Sequence, residues 1–339
     1  MLIAAGCQHT STRAIRSGRV ALVANASTRI VRGDVRLGGV WTSRQRLKND
    51  AVWLVARTAL GAVRLVPAAP VRNAASALGA LAYVLAGHAR RTALANAALV
   101  YPHWSPSRRA ALVRRSFTAL GGWLGESARA LAGAPGPAPL DMGAGSLGAL
   151  RDAQSQGRGV LFASAHLGPW ERVAASLVAA GVPLVTVARE SYDPRFSRLF
   201  EGMRCRAGVR VIDRGDRTAP WKIVRALRRG DVLGMPMDLR TRVDSRPVPF
   251  LGHPAPTPIG PARIALRTGA PVVVGTAEPA ADGRTTVTVT PIPTGDLRDD
   301  EDGAFVLTGR INAELSRRIL AFPEAWVWMH DRWTSPAEV

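Results

Sequence analysis

The spacing of hydrophobic positions changes once along the chain, at a Pro/Gly-rich segment covering residues 133–140. Before it, over residues 49–131, apolar residues recur at intervals of three and four, which predicts a series of helices. After it, short unbroken apolar runs alternate with helical patterns, and such runs are typical of buried strands. The runs that predict strands lie at residues 159–166, 183–190, 209–213, 231–239, 270–279 and 285–292.

This alternation of strands and helices predicts the fold class. Strands that are apolar throughout belong to a parallel sheet with both faces covered. We therefore expect an α/β fold, with a mostly parallel sheet flanked by helices on both faces and preceded by N-terminal membrane-associated helices. Residues 1–47 are polar and basic and are predicted to be a mobile leader. The prediction assigns residues 48–132 to a helical, membrane-associating region and residues 141–333 to the α/β catalytic region of the same domain.

The N-terminal helical region suits a membrane surface better than a membrane span. A confident span needs about 18–20 uncharged apolar residues, and the apolar segment 51–70 is interrupted by Arg57 and Arg64. Arginine can lay its stem on apolar surface while its charged head reaches the lipid headgroups. The pattern favours a helix lying in or dipping into the bilayer, with a helix of the protein core as the alternative. The apolar side chains among these arginines are Trp53, Leu54, Leu60, Val63 and Leu65.

The chain is strongly basic, with a formal net charge of +20, and all but two of its 45 basic residues are arginines. A guanidinium group binds phosphate or carboxylate through two parallel hydrogen bonds, so the excess favours phosphate-rich or acidic partners. Nucleic acid, anionic lipid and an acidic carrier protein fit this description, and a GC-rich genome would also raise arginine content. The arginines are spread without a readable nucleic-acid-binding module, so nucleic acid is not an expected partner.

Polar residues stand where the predicted strands end. In open α/β sheets, ligands bind in the crevice outside the carboxyl ends of the strands. These ends are predicted to bring one histidine, four carboxylates and two arginines towards one crevice. The residues, in strand order, are His166, then Arg189 with Glu190, Asp213 with Arg214, Asp238 and Glu278.

This set of side chains suits acyl transfer to a hydroxyl group. A neutral histidine takes the proton of an attacking hydroxyl, while a carboxylate fixes the imidazole tautomer and stabilises the imidazolium. No serine occupies a Gly-x-Ser-x-Gly turn, and the chemistry needs no covalent enzyme intermediate. The sequence has neither His-Glu-x-x-His nor clustered histidines, so we predict no metal site and no bound cofactor. For an isolated His-x4-Glu, the structural alternative is a histidine that caps a helix.

Four sequence blocks, in order, carry a family resemblance. The block "HLGPWE" (166–171) resembles the His-x4-Asp/Glu block of the lysophospholipid acyltransferase superfamily, in its branch of lipid A late acyltransferases, the lauroyl and myristoyl transferases. The resemblance extends over residues 49–333. The blocks similar to that branch's N-terminal, third and closing blocks are "RTALANAALVYPHWSPSRRAALVRRSF" (91–117), "RPVPFLGHPAPTPIGPARIALRTGAPVV" (246–273) and "PEAWVWMHDRW" (323–333).

The resemblance implies roles for individual residues. His166 would be the general base and Glu171 its carboxylate partner. Asp238 stands where the branch carries an acidic residue near the histidine, which makes it a competing partner. Arg189 and Arg204 are expected to hold a substrate phosphate. For Arg204, a position on a solvated helix face is nearly as good an explanation. The residues implied to bind substrate are Arg189, Arg204 and Trp170.

The sequence departs from the branch pattern at two positions. Pro169 replaces the usual asparagine, so its backbone has no N–H for a developing oxyanion, and Leu239 stands where glutamine is commoner. In the closing block, His330 is expected to be a hydrogen-bonded structural histidine rather than a second base. The tryptophans of that block are expected to be packing residues, and they are Trp326, Trp328 and Trp333.

The implied protein is a peripheral or monotopic enzyme on the cytoplasmic face of the inner (plasma) membrane. It moves a fatty acyl chain from an acyl thioester, carried by acyl carrier protein or CoA, to a hydroxyl of an anionic glycolipid such as a lipid A precursor. An acidic carrier protein suits the arginine-rich surface. One alternative is another glycolipid acceptor, such as a phosphatidylinositol mannoside. The alternative of another class is a basic nucleic-acid-binding protein.

Overall fold

The computed structural model describes residues 41–189, 191–241, 243–280 and 284–333. The predicted leader therefore lies outside the described residues except for residues 41–47. The helices are α1 (Ser43–Val63), α2 (Ala68–Leu85), α3 (Gly87–Val100), α4 (Pro106–Leu131), α5 (Ser146–Ser155), α6 (Trp170–Ala179), α7 (Pro194–Arg206), α8 (Ala219–Arg228), α9 (Gly260–Thr268) and α10 (Glu301–Ala321). The strands are β1 (Asp141–Met142), β2 (Val160–Ser164), β3 (Leu184–Ala188), β4 (Arg210–Asp213), β5 (Val232–Pro236), β6 (Arg246–Phe250), β7 (His253–Thr257), β8 (Val272–Pro279) and β9 (Thr285–Ile292).

The first helix begins inside the segment that the sequence assigned to the leader. Thr42 caps α1, because its hydroxyl accepts the backbone N–H of Gln45 and the Gln45 side chain accepts the backbone N–H of Thr42. This reciprocal pair is a capping box, which satisfies two backbone donors at the start of a helix. Helix α1 therefore starts at Ser43, whereas the sequence pattern placed the start of the helical region at residue 48.

The N-terminal helices pack through glycines. A Cβ atom at Gly79 of α2 would overlap the backbone carbonyl oxygen of Phe117 in α4, and one at Gly121 would overlap that of Ala75. The two helices therefore approach each other more closely than bulkier residues allow. No helix among the described residues is long and apolar enough to cross a bilayer.

The seven-stranded sheet confirms the predicted mostly parallel arrangement. Its strand order is β1-β9-β8-β2-β5-β3-β4. The five strands from β8 to β4 in that order run parallel to one another, whereas β9 is antiparallel to β8 and parallel to β1. The six predicted strand runs correspond to β2, β3, β4, β5, β8 and β9.

A second, two-stranded antiparallel sheet was not predicted. It pairs β6 with β7, and prolines alternate along both strands at Pro247, Pro249, Pro254 and Pro256. Proline cannot donate a hydrogen bond to a neighbouring strand and is confined to edge positions. A two-stranded sheet consists of edges only, which explains why these prolines are tolerated and why the pattern did not predict strands.

Alternate residues of the central strands face opposite layers of helices, as expected for a sheet covered on both sides. On β2, Leu161 and Ala163 belong to one core cluster, which also contains buried residues of α4, α9 and α10. The neighbouring Val160 and Phe162 belong to a second cluster, which contains buried residues of α5 and α6. These two cores hold the carboxyl ends of the parallel strands in fixed positions.

Candidate active site

His166 stands two residues beyond the end of β2, at the wall of a cavity of about 1000 Å³. Gly168 adopts a left-handed conformation with φ of 66°, which residues with a Cβ adopt with strain. Its backbone N–H donates to the carbonyl oxygen of Ala325 at 2.9 Å. Helix α6 begins directly after Pro169, and no side chain caps it. His166 is therefore not the helix cap that the structural alternative required.

The carboxylate bonded to His166 is that of Asp238. The distance from His166 Nδ1 to Asp238 Oδ1 is 2.9 Å, and the backbone N–H of His166 donates to Asp238 Oδ2 at 2.9 Å. The Asp238 side chain is fully buried, whereas the His166 side chain is 26% exposed, on the cavity side. Because the carboxylate accepts the Nδ1–H, the other ring nitrogen, Nε2, is left as the basic atom.

Strand register explains why these two residues meet. Strands β2 and β5 are parallel neighbours, with Ser164 opposite Pro236. The backbone N–H of Met237 continues the pairing by donating to the carbonyl oxygen of Ser164 at 2.9 Å. His166 and Asp238 each stand two positions beyond this matched pair, so the register places them side by side at the carboxyl edge of the sheet.

Burial and charge act in opposite directions on this pair. Burial by itself lowers the pKa of His166, but the charge and hydrogen bond of Asp238, with a smaller effect of Glu171, raise that pKa above its usual 6.5. Burial alone would raise the pKa of Asp238, yet the adjacent imidazole and three N–H donors hold it below its ordinary value. The pair therefore consists of a buried carboxylate that stays ionised and an imidazole made more basic.

The third donor to Asp238 is the indole N–H of Trp326, 2.9 Å from Oδ2. Trp326 and Trp328 are fully buried, as predicted for packing residues. Their sequence pattern gave no sign that one of them would bond to a carboxylate 88 residues away. The sequence feature that pointed to Trp326 was its position in the closing block (323–333), which resembles that of the lipid A late acyltransferases.

Glu171 is paired with Arg204 and not with His166. Arg204 Nε donates to Glu171 Oε2 at 3.1 Å, and the Arg204 Nη2 nitrogen donates to the other carboxylate oxygen. The predicted partnership of Glu171 with His166 is therefore wrong, and Asp238, the competing candidate, occupies that place. Glu171 and Arg204 both line the cavity, so the ion pair forms part of its wall.

The other predicted substrate-binding residues also lie at the cavity. The ring of Trp170 meets the ring of His166 edge-on, with 5.1 Å between centroids. Arg189 is exposed at the cavity wall, at the end of β3. The structure therefore brings all six predicted site residues to one edge of the sheet, although Asp238 is buried behind His166.

The predicted set of strand-end residues is only partly assembled. Asp213 and Arg214 line the cavity beyond β4. Glu278 instead forms an ion pair with the fully buried Arg318 of α10, at 3.0 Å, on the side of the sheet where β8 meets β9. Glu190, the remaining member, lies outside the described residues.

Charges of both signs line the cavity, as expected from the carboxylates and arginines at the strand ends. Lys222 meets Asp216 at 2.5 Å, Arg240 lies 3.9 Å from Asp331, and Arg204 pairs with Glu171. The cations of the wall are Arg189, Arg204, Arg214, Lys222 and Arg240, and the carboxylates are Glu171, Glu201, Asp213, Asp216 and Asp331.

Two polar atoms in the cavity wall were missed by the sequence analysis. His330 Nδ1 and Thr241 Oγ1 are buried without a hydrogen-bond partner among the described residues. His330 was expected to be a hydrogen-bonded structural histidine, but its ring atom Nδ1 has no such partner. Burial lowers the pKa of His330, which favours the neutral ring. Buried polar atoms are nearly always hydrogen-bonded, so these two atoms are exceptions within the described part of the chain. Within the part of the chain that the structure describes, no group of three or more His, Cys, Asp or Glu side chains is placed to hold a metal ion.

A histidine and a buried carboxylate at the carboxyl edge of an α/β sheet, beside a large cavity, are suited to removing a proton from a bound hydroxyl. The family model of bacterial lipid A biosynthesis acyltransferases matches residues 41–335. The chain therefore belongs to this family and is an acyltransferase of the lipid A type. None of the curated proteins compared with the chain matches it.

Proposed function

We propose that the protein transfers a fatty acyl chain from an acyl thioester to a hydroxyl group of a lipid A precursor, with His166 as general base. Nε2 of His166 takes the hydroxyl proton while the oxygen attacks the thioester carbonyl carbon. The carbon–sulfur bond then breaks, and the thiolate leaves with the proton from the imidazolium. The observation that carries this proposal is the 2.9 Å bond from His166 Nδ1 to Asp238 Oδ1, which leaves Nε2 basic beside the cavity.

Asp238 is proposed as the residue that orients the His166 ring and stabilises its protonated form. A buried carboxylate bonded to Nδ1 fixes the tautomer and stabilises the imidazolium that forms during the reaction. Glu171 is proposed to act through Arg204, whose guanidinium it holds at the cavity wall. A fixed guanidinium is suited to a phosphate of the acceptor or donor. Arg189 is proposed to hold a second anionic group at the exposed rim.

The cavity is large enough for the reacting parts of two substrates, since about 1000 Å³ is the upper size of common ligand sites. The donor is proposed to be an acyl carrier protein or CoA thioester, and the acceptor an anionic glycolipid. The net charge of +20 supports both, because an acidic carrier protein and an anionic headgroup are attracted to a basic surface. No bound cofactor is needed for this reaction.

The enzyme is proposed to work on the cytoplasmic face of the inner membrane, with helices α1 and α2 in contact with lipid. Neither helix contains a buried residue. Leu54 and Val55 of α1 and Leu78, Leu81 and Leu85 of α2 are each between 49% and 72% exposed. Spacing of three and seven residues places the α2 leucines on one face. An exposed apolar face of this kind is typical of a helix that lies on a membrane.

The apolar residues that the sequence pattern assigned to the membrane divide into a partly buried group and an exposed group. Trp53 meets the ring of Phe196 in α7 edge-on at 5.4 Å, and Leu60 and Val63 are partly buried. These residues therefore pack against the protein, and of the predicted membrane-facing set only Leu54 and Leu65 are exposed. Of the five apolar residues that the sequence pattern assigned to the membrane, the proposed lipid contact therefore keeps these two.

The chemistry is tested by comparing His166→Ala with His103→Ala, a change of an exposed histidine in the turn after α3. Purified proteins are incubated with acyl carrier protein and CoA thioesters and, as acceptors, a lipid A precursor or a phosphatidylinositol mannoside. Products are weighed by mass spectrometry. His166→Ala is expected to lower kcat by about 10²–10⁴-fold, because that is the usual contribution of a general base. Near-native transfer by His166→Ala would reject the mechanism, and transfer only to the mannoside would reject the lipid A acceptor.

Membrane contact is tested by flotation with vesicles that contain anionic phospholipid. The triple variant Leu78→Ser, Leu81→Ser, Leu85→Ser is expected to bind at least about tenfold more weakly, because each buried leucine contributes substantially to transfer from water. The control is Val306→Ser with Leu320→Ser, which changes two exposed apolar residues of α10. Equal vesicle binding by wild type and the triple variant would show that α2 does not contact lipid.

A further inference from the structure

The segment that contains Trp326 connects three distant parts of the chain at the proposed reaction centre. Residues Leu167 and Trp326 form an antiparallel bridge, and the Gly168 N–H donates to the Ala325 carbonyl oxygen at 2.9 Å. The hydroxyl of Ser116 in α4 donates to the Trp326 carbonyl oxygen at 2.6 Å. The backbone of Trp326 is therefore fixed both to the loop that carries His166 and to an N-terminal helix.

The side chain of Trp326 is fixed as firmly as its backbone. It is 1% exposed and lies against Trp328 at 5.0 Å and Phe250 at 5.7 Å between ring centroids. The indole N–H donates to Asp238 Oδ2, the same oxygen that accepts the backbone N–H of His166. With Oδ2 held by two donors from different parts of the chain, the Asp238 carboxylate cannot rotate, and Oδ1 is left to face His166 Nδ1.

We propose that Trp326 is a positioning residue for acyl transfer, whose indole N–H holds the Asp238 carboxylate in the orientation that the base His166 requires. This inference rests on the proposed function for its effect on turnover, but the hydrogen bond also changes how the pair binds protons. The positive end of the N–H dipole points at Asp238, which disfavours any added proton on the pair. In the absence of the indole, the backbone N–H of His166 still holds Asp238 Oδ2 and keeps the carboxylate beside the imidazole, so removing the indole N–H raises the apparent pKa of the His166–Asp238 pair.

Other charged groups face the pair and stay constant in the experiment. Glu171 and Arg204 act on His166 from α6 and α7. His330 and Arg332, in the segment after Trp328, act on Asp238 from the other side. Since the indole is neutral, its removal changes a hydrogen bond and leaves these charges in place.

The structure offers a matched control in Trp328. Its side chain is also fully buried, and its indole N–H also donates a hydrogen bond, but the acceptor is the backbone carbonyl oxygen of Pro323 at 2.6 Å. Trp326→Phe and Trp328→Phe each remove one buried indole N–H and part of one ring. A merely structural role predicts equal effects of the two changes, whereas a positioning role predicts different ones.

The experiment measures kcat, KM and the pH dependence of kcat/KM for wild type and both variants. Trp326→Phe is expected to lower kcat about 10- to 100-fold with KM within about twofold, because a misoriented base costs turnover rather than binding. The acid limb of its kcat/KM profile, where activity falls as the pH is lowered, should move to higher pH. Trp328→Phe should keep the wild-type acid limb and most of the wild-type kcat. Equal loss of kcat in the two variants, with unchanged limbs, would overturn the proposal.

A second measurement separates this proposal from the proposed function. NMR titration of the His166 ring, assigned by comparison with His166→Ala, reports the apparent pKa of the pair without any substrate. It is expected to rise in Trp326→Phe and to stay constant in Trp328→Phe, whatever reaction the enzyme catalyses. An unchanged titration in Trp326→Phe would overturn the proposal even if acyl transfer by the wild type is confirmed.

Should Trp326→Phe fail to fold, the amino acid β-(3-benzothienyl)alanine can be inserted at position 326. It keeps the fused ring and replaces only the N–H with sulfur, so packing is preserved while the donor is lost. The same rise in the apparent pKa and the same loss of kcat are expected. Wild-type values in this protein would overturn the proposal.

Discussion

The carboxyl end of β5 and the first turn of α6 each present a carboxylate near His166, and the two have different surroundings. Asp238, beyond β5, is fully buried and accepts three hydrogen bonds, two of them from His166. Glu171, in the first turn of α6, is 16% exposed and is held by Arg204. Asp238 therefore bonds to the histidine, whereas Glu171 bonds to a cation of the cavity wall, Arg204.

The difference teaches that proximity along the chain does not decide which carboxylate serves a base. Glu171 is five residues from His166, and Asp238 is 72 residues away, yet strand register brings the distant residue into contact. Asp238 at its strand end is also more deeply buried than Glu171 at its helix start. Within a low-dielectric environment a carboxylate acts more strongly on its neighbour. Substitutions at the two positions should therefore have unequal effects.

The largest effect is expected from Asp238→Asn. The amide keeps the size of the carboxylate but carries no charge and permits the wrong tautomer of His166, so kcat should fall about 10³–10⁴-fold. The matched control is Asp231→Asn at the other end of β5, where Asp231 is also buried and is paired with Arg210 and Arg229. That control should keep wild-type kcat, and equal loss of kcat in both variants would contradict a special role of Asp238.

The next effect concerns pH. Because Asp238 raises the pKa of His166 above 6.5, the base is protonated and inactive at acid pH, and kcat/KM should rise about tenfold per pH unit until that pKa is passed. In Asp238→Asn this cause is removed, so the residual activity should have its acid limb at lower pH. Both proteins are assayed with the same acceptor, so that titration of the acceptor cancels. A limb that stays in place in Asp238→Asn would assign it to another group.

A smaller effect is expected from Glu171→Gln. The change releases Arg204 and removes only a minor contribution to the His166 pKa, so kcat/KM should fall about three- to tenfold, mainly through KM. Arg204→Gln should have a similar effect, and the double variant should lose no more than either single one, since both act through one ion pair. If Glu171→Gln lost as much kcat as Asp238→Asn, Glu171 would be the true partner of the base.

The smallest effect is expected from Trp170→Leu. The change removes the edge-on contact between Trp170 and His166 but leaves both hydrogen bonds to Asp238, so kcat/KM should fall only a few-fold. Trp221→Leu provides the control, because Trp221 is 61% exposed on α8. Kinetics with one acceptor at saturating donor would detect the difference, and a loss above about 100-fold would mean that Trp170 takes part in the chemistry.

Family membership and the outline of the fold were readable from short patterns. Both faces of the sheet are covered by helices, so its strands are composed of apolar residues. The apolar composition of a run therefore indicates a buried strand, as it did for β2, β3, β4, β5, β8 and β9. His166 and Asp238 were readable as strand-end polar residues for the same reason. The β6–β7 hairpin was not, because its alternate prolines are tolerated only in a sheet made of edges.

By itself, the sequence determined that His166 and Asp238 follow strands at the carboxyl edge of the sheet and which family the chain belongs to. Only the tertiary structure decided that Asp238 bonds to His166, that Glu171 pairs with Arg204 and that Trp326 donates to the buried carboxylate. The physical reason is that local patterns record burial, which each residue experiences individually. Hydrogen bonds between distant residues depend on strand register and on the path of the chain, which no local pattern specifies.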